Sequence, residues 1–275
     1  MRVLLLDAYN LIHRAHHGFK RGQYGTVYSF FRSLRVLVEK FEPHKIYFVL
    51  EGYPKRRLEM LPEYKGTRDR ADKDNFHEQK RMIIHLMKEN FPVTSIRHPD
   101  FECDDVLAHL VQNTHSSDEC TIVSSDSDFY QLYNTCENVE IYNPVRKIIV
   151  PKVAFDYVSY KALRGDSSDN IAGFVGIGNK RAKKLVDSPK LLKEFFQKDE
   201  TFKEKFDLNC ELIRFHDLVE EEPGFEYSDP DVNWKAIKAK FNDMQFFSIT
   251  NAKSWSKFVM TFDRVSSFYI TKEEA

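Results

Sequence analysis

The feature of this chain that most constrains its fold is the alternation of two hydrophobic patterns along its N-terminal half. Short apolar runs rich in β-branched and aromatic residues occur at residues 3–6, 46–50, 121–124, 139–142 and 148–150. Between them, residues 27–41, 75–90 and 104–113 show the 3.6-residue apolar period of amphipathic helices. Strands that alternate with helices predict an α/β fold with a mostly parallel central sheet flanked by helices.

The second half of the chain has a different pattern. After about residue 155 the strand-like runs stop, and the remaining sequence is helical in character, with a loop rich in Pro, Glu and Asp at residues 220–231. We therefore predict two regions, an α/β core at residues 1–155 and a helical region at residues 156–275.

Composition excludes several classes of protein. The 275 residues carry 41 Lys and Arg against 42 Asp and Glu, which excludes a bulk polycation, and 42% hydrophobic residues exclude a disordered chain. The four cysteines form no CxxC pair and have no histidine at zinc-finger spacing, so we expect reduced thiols in a cytoplasmic protein. No segment approaches the roughly 20 apolar residues of a membrane span, and we expect no membrane partner.

Acidic residues are concentrated where predicted strands end or helices begin, which is where the crevice of a parallel α/β sheet lies. The set comprises Asp7, Glu51, Glu102, Asp104, Asp105, Asp126, Asp128, Asp166 and Asp169. Carboxylates that converge in a partly desolvated crevice raise one another's pKa unless a cation compensates them. Oxygen ligands without Cys or His favour Mg²⁺ or Mn²⁺ over Zn²⁺. Two such ions about 3.5–4 Å apart would suit phosphodiester hydrolysis.

Taken singly, some of these acids have an ordinary structural explanation. Helix capping explains Asp104 as well as metal binding does, and the SDSD segment that contains Asp126 and Asp128 could be an exposed loop. Asp7 is harder to explain in this way, because an acid directly after a buried strand is costly unless it is paired or binds a metal.

Four segments carry a family resemblance. LLLDAYNLIHRAHH, FECDDVLAHL, TIVSSDSDFYQL and LRGDSSDNIAGFVGIGNKRAKKLV, in that order and spacing, resemble the 5′ nuclease superfamily of flap endonucleases and polymerase-attached 5′–3′ exonuclease domains. The similarity covers about residues 1–200, with a weaker echo in MQFFSI. It implies a PIN/resolvase-like core in which the acids other than Glu51 bind two metal ions. The family usually has Asp at this position. Glu51 has a longer side chain and stands at the same spacing.

The resemblance also implies a helical arch at about residues 53–90. Residues 53–88 contain ten Lys and Arg against six Asp and Glu, and such a basic arm beside an acidic site would attract phosphate. By resemblance, Lys65 and Arg68 would contact the scissile phosphate as catalytic residues. Tyr64 could stack on an unpaired base. Without the resemblance, a solvated charged helix would be the better explanation of this segment.

A glycine turn precedes a helix rich in Lys and Arg. Gly173, Gly176 and Gly178 permit close backbone approach, and the following helix N-terminus presents N–H groups to a phosphate. The resemblance implies a helix-three-turn-helix at about residues 160–187 that grips duplex DNA, with K⁺ at the turn; a plain helix connection is the alternative. The other expected DNA-binding residues are Lys180, Arg181, Lys183, Lys184, Arg14 and Arg32.

Together these features predict a Mg²⁺-dependent 5′ nuclease. We expect a monomeric, stand-alone flap endonuclease and 5′–3′ exonuclease of the phage or small bacterial kind. It would act on DNA with a 5′ flap, nick or branch in primer removal, replication or repair, leaving a 5′-phosphate and a 3′-hydroxyl. Two alternatives remain at this point: a nuclease of the same superfamily that acts mainly on RNA in RNA–DNA hybrids, and an inactive DNA-binding scaffold.

Overall fold

The fold is that of a computed structural model, which describes residues 1–18, 22–68, 74–229 and 231–267. Its strands are β1 (Arg2–Asp7), β2 (Lys45–Val49), β3 (Thr94–Arg97), β4 (Glu119–Val123), β5 (Val139–Asn143), β6 (Ile148–Ile149), β7 (Gly165–Asp166), β8 (Ile171–Ala172) and β9 (Glu226–Ser228). Within these described residues, seven strands form one sheet in the order β6-β5-β4-β1-β2-β3-β9, and β7 pairs with β8 in a separate hairpin.

The helices lie between and after these strands. They are α1 (Ala8–Gly18), α2 (Gly25–Phe41), α3 (Lys55–Met60), α4 (Asp74–Glu89), α5 (Cys103–His109), α6 (Tyr157–Arg164), α7 (Asn179–Val186), α8 (Pro189–Phe196), α9 (Thr201–Ile213), α10 (Trp234–Asp243), α11 (Phe247–Thr250) and α12 (Ala252–Thr261). A π-helical turn at Leu110–Thr114 extends α5, and 3₁₀ turns occur at Asp128–Asn134 and Glu222–Gly224.

The centre of the sheet is parallel. Strand β1 pairs in parallel with β2 and β4, which pair in parallel with β3 and β5, whereas the edge strands β6 and β9 are antiparallel. This arrangement confirms the predicted mostly parallel α/β fold. Because the parallel strands run in one direction, the acids that follow β1, β2 and β4 are brought to the same edge of the sheet.

The alternation of side chains along β1 explains how the sheet acquires a core on each face. Leu4 and Leu6 pack into one hydrophobic cluster with α1, α2 and α4. Val3 and Leu5 pack into a second cluster, with α5 and the 3₁₀ turn at Asp128–Asn134. Each fully buried aliphatic side chain contributes about 1.5–3 kcal/mol, so the strand that ends at Asp7 is firmly anchored.

The second half of the chain has two parts that pack in different places. Residues 157–213 are largely helical and form a third hydrophobic cluster together with Tyr64 and side chains of α3. The chain then returns to the sheet, where β9 pairs with β3, and Phe241 and Phe258 join the same cluster as Leu4. The region 156–275 is therefore divided between a helical unit and a final segment that packs on the α/β core. Residues 268–275 lie outside the described part.

Two further observations concern the cysteines and the lengths of the apolar helices. All four cysteines are buried free thiols. Among the described residues, no helix combines the length and apolar character needed to cross a membrane.

Candidate active site

A cleft of about 750 Å³ opens at the edge of the sheet where β1, β2 and β4 end. Four carboxylates line it, and we call them the cleft acids: Asp7, Glu51, Asp104 and Asp126. Two come directly from the strands, since Asp7 is the last residue of β1 and Glu51 follows β2 by two positions. Asp104 is in the first turn of α5. The sequence prediction placed these four together, and in the structure they line one cleft.

Among the described residues, none of the four cleft acids makes an ion pair, although the charge of Lys65 acts on Asp7, Glu51 and Asp104. Burial is the main cause that raises the pKa of Asp7 to about 6, against hydrogen bonds from Ser124 and the Asn10 amide. Burial and the nearby Glu102 likewise raise the pKa of Glu51 to about 7. Burial and the negative charge of Asp126 raise the pKa of Asp104 well above its usual value. Raised values of this kind are expected where a site is built for a cation.

A second group of acids, which we call the paired acids, consists of Asp128, Asp166 and Asp169. One carboxylate oxygen from each lies within 4.8 Å of the other two, which is close enough for all three to hold one ion. Each is already in contact with a cation. Lys161, buried on α6, contacts Asp128 and lies 2.5 Å from Asp166, while Arg68 lies 2.7 Å from Asp169. Sequence reasoning did not find Lys161 at this site.

Lys161 affects its two partners to different extents. Burial and the neighbouring Asp126 raise the pKa of Asp128 to about 6 in spite of the lysine. Burial is weaker at Asp166, so the charge of Lys161 and a hydrogen bond from Ser168 outweigh it and lower the pKa to about 2. Burial would lower the pKa of Lys161 itself, but the two carboxylates raise it and keep the ammonium charged.

Asp105 does not lie with the cleft acids. Its side chain is fully buried, and its two oxygens accept hydrogen bonds from Arg57 at 2.6 and 2.8 Å, with a third bond from the His216 amide at 2.9 Å. Glu102 shares the same guanidinium at 2.8 Å. The i,i+3 spacing did bring Glu102 and Asp105 to one side of the chain, but they meet there over a buried arginine. The structure therefore places Asp105 at a buried arginine rather than in the cleft, and its role as a metal ligand stays a prediction.

The predicted arch is described on both sides of residues 69–73, which lie outside the described part. Lys65 and Arg68 line the cleft as expected, and in this structure Lys65 pairs with Glu102. The prediction that Tyr64 stacks on a base does not fit its position, because the residue is only 4% exposed in this structure. Its hydroxyl lies 3.0 Å from Glu102 and 3.1 Å from Asp169, and donates to one of these carboxylates at a time.

The glycine turn lies outside the cleft, between the β7–β8 hairpin and α7. Gly173 passes so close to the carbonyl of Arg164 that a Cβ would lie 2.0 Å from its oxygen, which gives this glycine a packing role within the fold. Gly176 has φ +75°, and Gly178 precedes the first turn of α7. The four basic residues of α7 are exposed: Lys180, Arg181, Lys183 and Lys184.

A second groove of about 290 Å³ adjoins the cleft along α2. Its cations are Arg14, Arg32 and Lys147, and it shares Arg14 with the cleft. No acid is among its described lining residues. Sequence reasoning found the two arginines but missed Lys147, which lies on the β5–β6 turn, far from α2 in sequence.

Residues 2–172 match the family described as 5′-3′ exonuclease, N-terminal resolvase-like domain. This match covers more than half of the chain. The chain belongs to this family. The match confirms the resemblance to 5′ nucleases.

Similar proteins extend this result. The chain is 32% identical over 210 residues to DNA polymerase I of Treponema pallidum (strain Nichols), a match that covers 67% of this chain and 20% of the polymerase. It is 28% identical over 247 residues to a 5′-3′ exonuclease of Aquifex aeolicus (strain VF5), with 82% and 83% of the two chains covered. The chain thus spans about a fifth of the polymerase but most of the length of the exonuclease.

The fold also resembles that of the bacteriophage T5 flap endonuclease, whose structure was solved in a pseudo-enzyme-product complex with DNA and metal ions. The two superpose with a TM-score of 0.64 at 20% identity, over 98% of this chain and all of the other. At this identity the likeness supports the fold of the 5′-3′ exonuclease family, including the resolvase-like arrangement of the sheet.

Proposed function

We propose that the chain is a structure-specific 5′ nuclease that uses two divalent cations, with Mg²⁺ as the natural ion and Mn²⁺ as a substitute. The observation that carries the proposal is the set of cleft acids, three of which have raised pKa values and none of which has an ion pair within the described residues. Carboxylate oxygens alone suit a hard divalent ion. Membership in the 5′-3′ exonuclease family supports the same assignment.

The residues present fit two such ions. The cleft acids would hold one, with Glu51 reaching the site through its longer side chain, and the paired acids would hold the other. When bound, two ions in such a site supply activation of water and stabilisation of the leaving oxygen in phosphodiester hydrolysis.

Lys65 and Arg68 are placed to bind the scissile phosphate. Both line the cleft, and each holds a carboxylate in this structure: Lys65 holds Glu102 and Arg68 holds Asp169. An ammonium and a guanidinium already oriented beside the acids would stabilise the charge that develops on the phosphate during cleavage. Their positions also explain how a negatively charged substrate approaches an acidic cleft.

The path of the DNA follows from the other cations. We place the duplex on the exposed basic face of α7 and at the glycine turn, where the expected K⁺ would also bind. The basic groove of Arg14, Arg32 and Lys147 continues from the cleft and would hold a further stretch of backbone. Such contacts to phosphate position a substrate without reading its sequence. The substrate would be DNA with a 5′ flap, nick or branch in replication, primer removal or repair.

The test is cleavage of a 5′-labelled flap duplex and its blunt counterpart in Mg²⁺, Mn²⁺, Ca²⁺ and EDTA. We expect cutting near the flap junction in Mg²⁺ and Mn²⁺, with a 5′-phosphate and a 3′-hydroxyl on the products, and none in EDTA. A matched RNA flap tests the second substrate class. Faster cutting of RNA would move the function to RNA–DNA hybrids, and tight binding without cutting in any metal would indicate an inactive scaffold.

A further inference from the structure

Lys161 occupies the space that an ion at the paired acids would need. Its side chain is 3% exposed, and its ammonium contacts Asp128 and lies 2.5 Å from Asp166. The oxygens of these two residues and of Asp169 are the three that lie within 4.8 Å of one another. A lysine and a divalent ion would therefore use the same carboxylates.

The two cations cannot share this position at low cost. A small divalent ion binds carboxylate oxygens at about 2.0–2.1 Å, so an ammonium hydrogen-bonded to the same oxygens would lie within a few ångströms of it. Like charges at that distance repel strongly in a site that is largely shielded from water. Binding of the ion must therefore move Lys161 away from Asp128 and Asp166.

Lys161 also differs from the other cations of the site. Lys65 and Arg68 line the cleft and are partly exposed, so a substrate phosphate can reach them. Lys161 is buried and is not among the cleft-lining residues of the described structure. It therefore contacts the carboxylates without being placed to contact DNA.

We propose that Lys161 is a built-in competitor for the second divalent ion. It compensates Asp128 and Asp166 when no ion is bound, and it withdraws when the second ion enters. The two ions consequently bind with unequal affinity, first at the cleft acids and more weakly at the paired acids. The inference rests on the proposed two-ion function and adds a residue that sets the order of binding.

The experiment counts bound Mn²⁺ by the electron paramagnetic resonance signal of the free ion, on the full chain stripped with EDTA and without DNA. For the wild type we expect one tighter and one weaker class of site. Lys161→Met should tighten the weaker class by about tenfold or more, because a unit positive charge next to a divalent ion is removed. The tighter class should change by less than about twofold, since Lys65 is among the main charges that act on Asp7 and Glu51 and Lys161 is not.

Two matched variants accompany it. Lys161→Arg keeps the charge and should leave the weaker class weak. Lys257→Met removes the same charge from an exposed position on α12 and should leave both classes unchanged. If the wild type binds only one ion, Lys161→Met should gain a second.

An unchanged or weaker second class in Lys161→Met, in an enzyme that still cuts flap DNA, overturns the inference and leaves the proposed function intact. A wild type that neither binds Mn²⁺ nor cuts overturns the proposed function itself. Should Lys161→Met fail to fold without metal, Lys161→Gln retains a hydrogen-bond donor, and its melting temperature should rise more with Mn²⁺ than that of the wild type. An equal rise would also overturn the inference.

Discussion

The cleft acids and the paired acids are neighbours of the same chemical type that differ in their partners. Asp7 and Glu51 have no ion pair among the described residues, and their pKa values are raised to about 6 and about 7. Asp166 contacts Lys161, and its pKa is lowered to about 2. Cations are only part of the cause, since Asp128 also contacts Lys161 but is more deeply buried than Asp166 and keeps a pKa raised to about 6. Within the described residues, the paired acids have cations of the protein beside them, whereas the cleft acids have no ion pair.

The largest expected effect is the loss of cleavage when an acid of either group is replaced, compared with replacement of an exposed acid. Asp126→Ala, in the cleft group, and Asp128→Ala, in the paired group, should each reduce cleavage by about 10⁴-fold or more, as happens when one member of a catalytic unit is removed. DNA affinity should stay within a few-fold, because the cations proposed to bind DNA are intact. Single-turnover cleavage and a binding titration measure the two quantities separately.

Asp263→Ala is the matched control, since Asp263 is an exposed acid near the end of the described chain and is not one of the acids of the site. It should cut at the wild-type rate. Retained activity in both Asp126→Ala and Asp128→Ala would remove the basis for the metal assignment.

The next effect concerns Glu102 and Asp105, two buried acids that share the guanidinium of Arg57. Arg57→Met would leave Glu102 and Asp105 without their shared guanidinium, and a buried ion pair that loses one partner costs about 3–5 kcal/mol of unfolding free energy. The adjacent Arg56→Met breaks an exposed pair with Glu221 and should cost less than about 1 kcal/mol. Urea unfolding of both variants gives the comparison, and equal losses would show that the buried cluster is no more important than a surface pair.

Lys65→Ala should slow cleavage by about 10²-fold while DNA affinity falls by only a few-fold, because the ammonium is assigned to charge that develops in the transition state. Lys55→Ala provides the control, as Lys55 is exposed and pairs with Asp100. The measurement is kcat against the dissociation constant for a flap substrate. A loss of binding that matches the loss of turnover would make Lys65 an electrostatic anchor only.

The sequence predicted the parts of the fold that depend on long local patterns. Strands β1, β2, β4 and β5 were found to within two residues, because each is a run of apolar residues between polar ones. Strands β3 and β9 were missed, since they are four and three residues long and contain too few positions to show a period.

The acids of the site were found for a similar reason, because their positions at strand ends are visible in the sequence. The basic side chains that pair with these acids were not found. Arg57 is 48 positions from Asp105, and Lys161 is 33 positions from Asp128. No local pattern records which basic side chain of many will meet a given acid, so the electrostatic difference between the two groups appears only once the chain is folded.

The comparison also predicts opposite dependence on pH in the metal-free protein. The folded pKa values of Asp7 and Glu51 lie above their unfolded ones, so the stability they contribute is present below about pH 4 and is lost as the pH rises through about 6 to 7. Asp166 contributes stability above its unfolded value of 3.8, and loses it as the pH falls through about 2.

Between pH 5 and pH 8 in EDTA, unfolding free energy should therefore fall by roughly 1–3 kcal/mol or more through the cleft acids and Asp128, whose folded pKa is also raised to about 6. Asp7→Asn should reduce this slope, and Asp166→Asn should leave it unchanged. Mg²⁺ should restore stability at pH 8 more than at pH 5. The measurement is thermal unfolding at each pH, and a slope in Asp7→Asn equal to that of the wild type would assign the pH dependence to other groups.

The smallest expected effect tests whether the Tyr64 hydroxyl stabilises the fold or contacts the substrate. Its hydroxyl lies between Glu102 and Asp169, and so connects the acid held by Lys65 with one of the paired acids. Tyr64→Phe keeps the ring but removes this donor, and should cost about 1–2 kcal/mol of unfolding free energy with DNA affinity unchanged. Tyr53→Phe, at a residue that is 61% exposed, should cost nothing measurable. If Tyr64→Phe instead melts with the wild type and binds flap DNA more weakly, the hydroxyl contacts the substrate, and the two groups of acids are not joined through this residue.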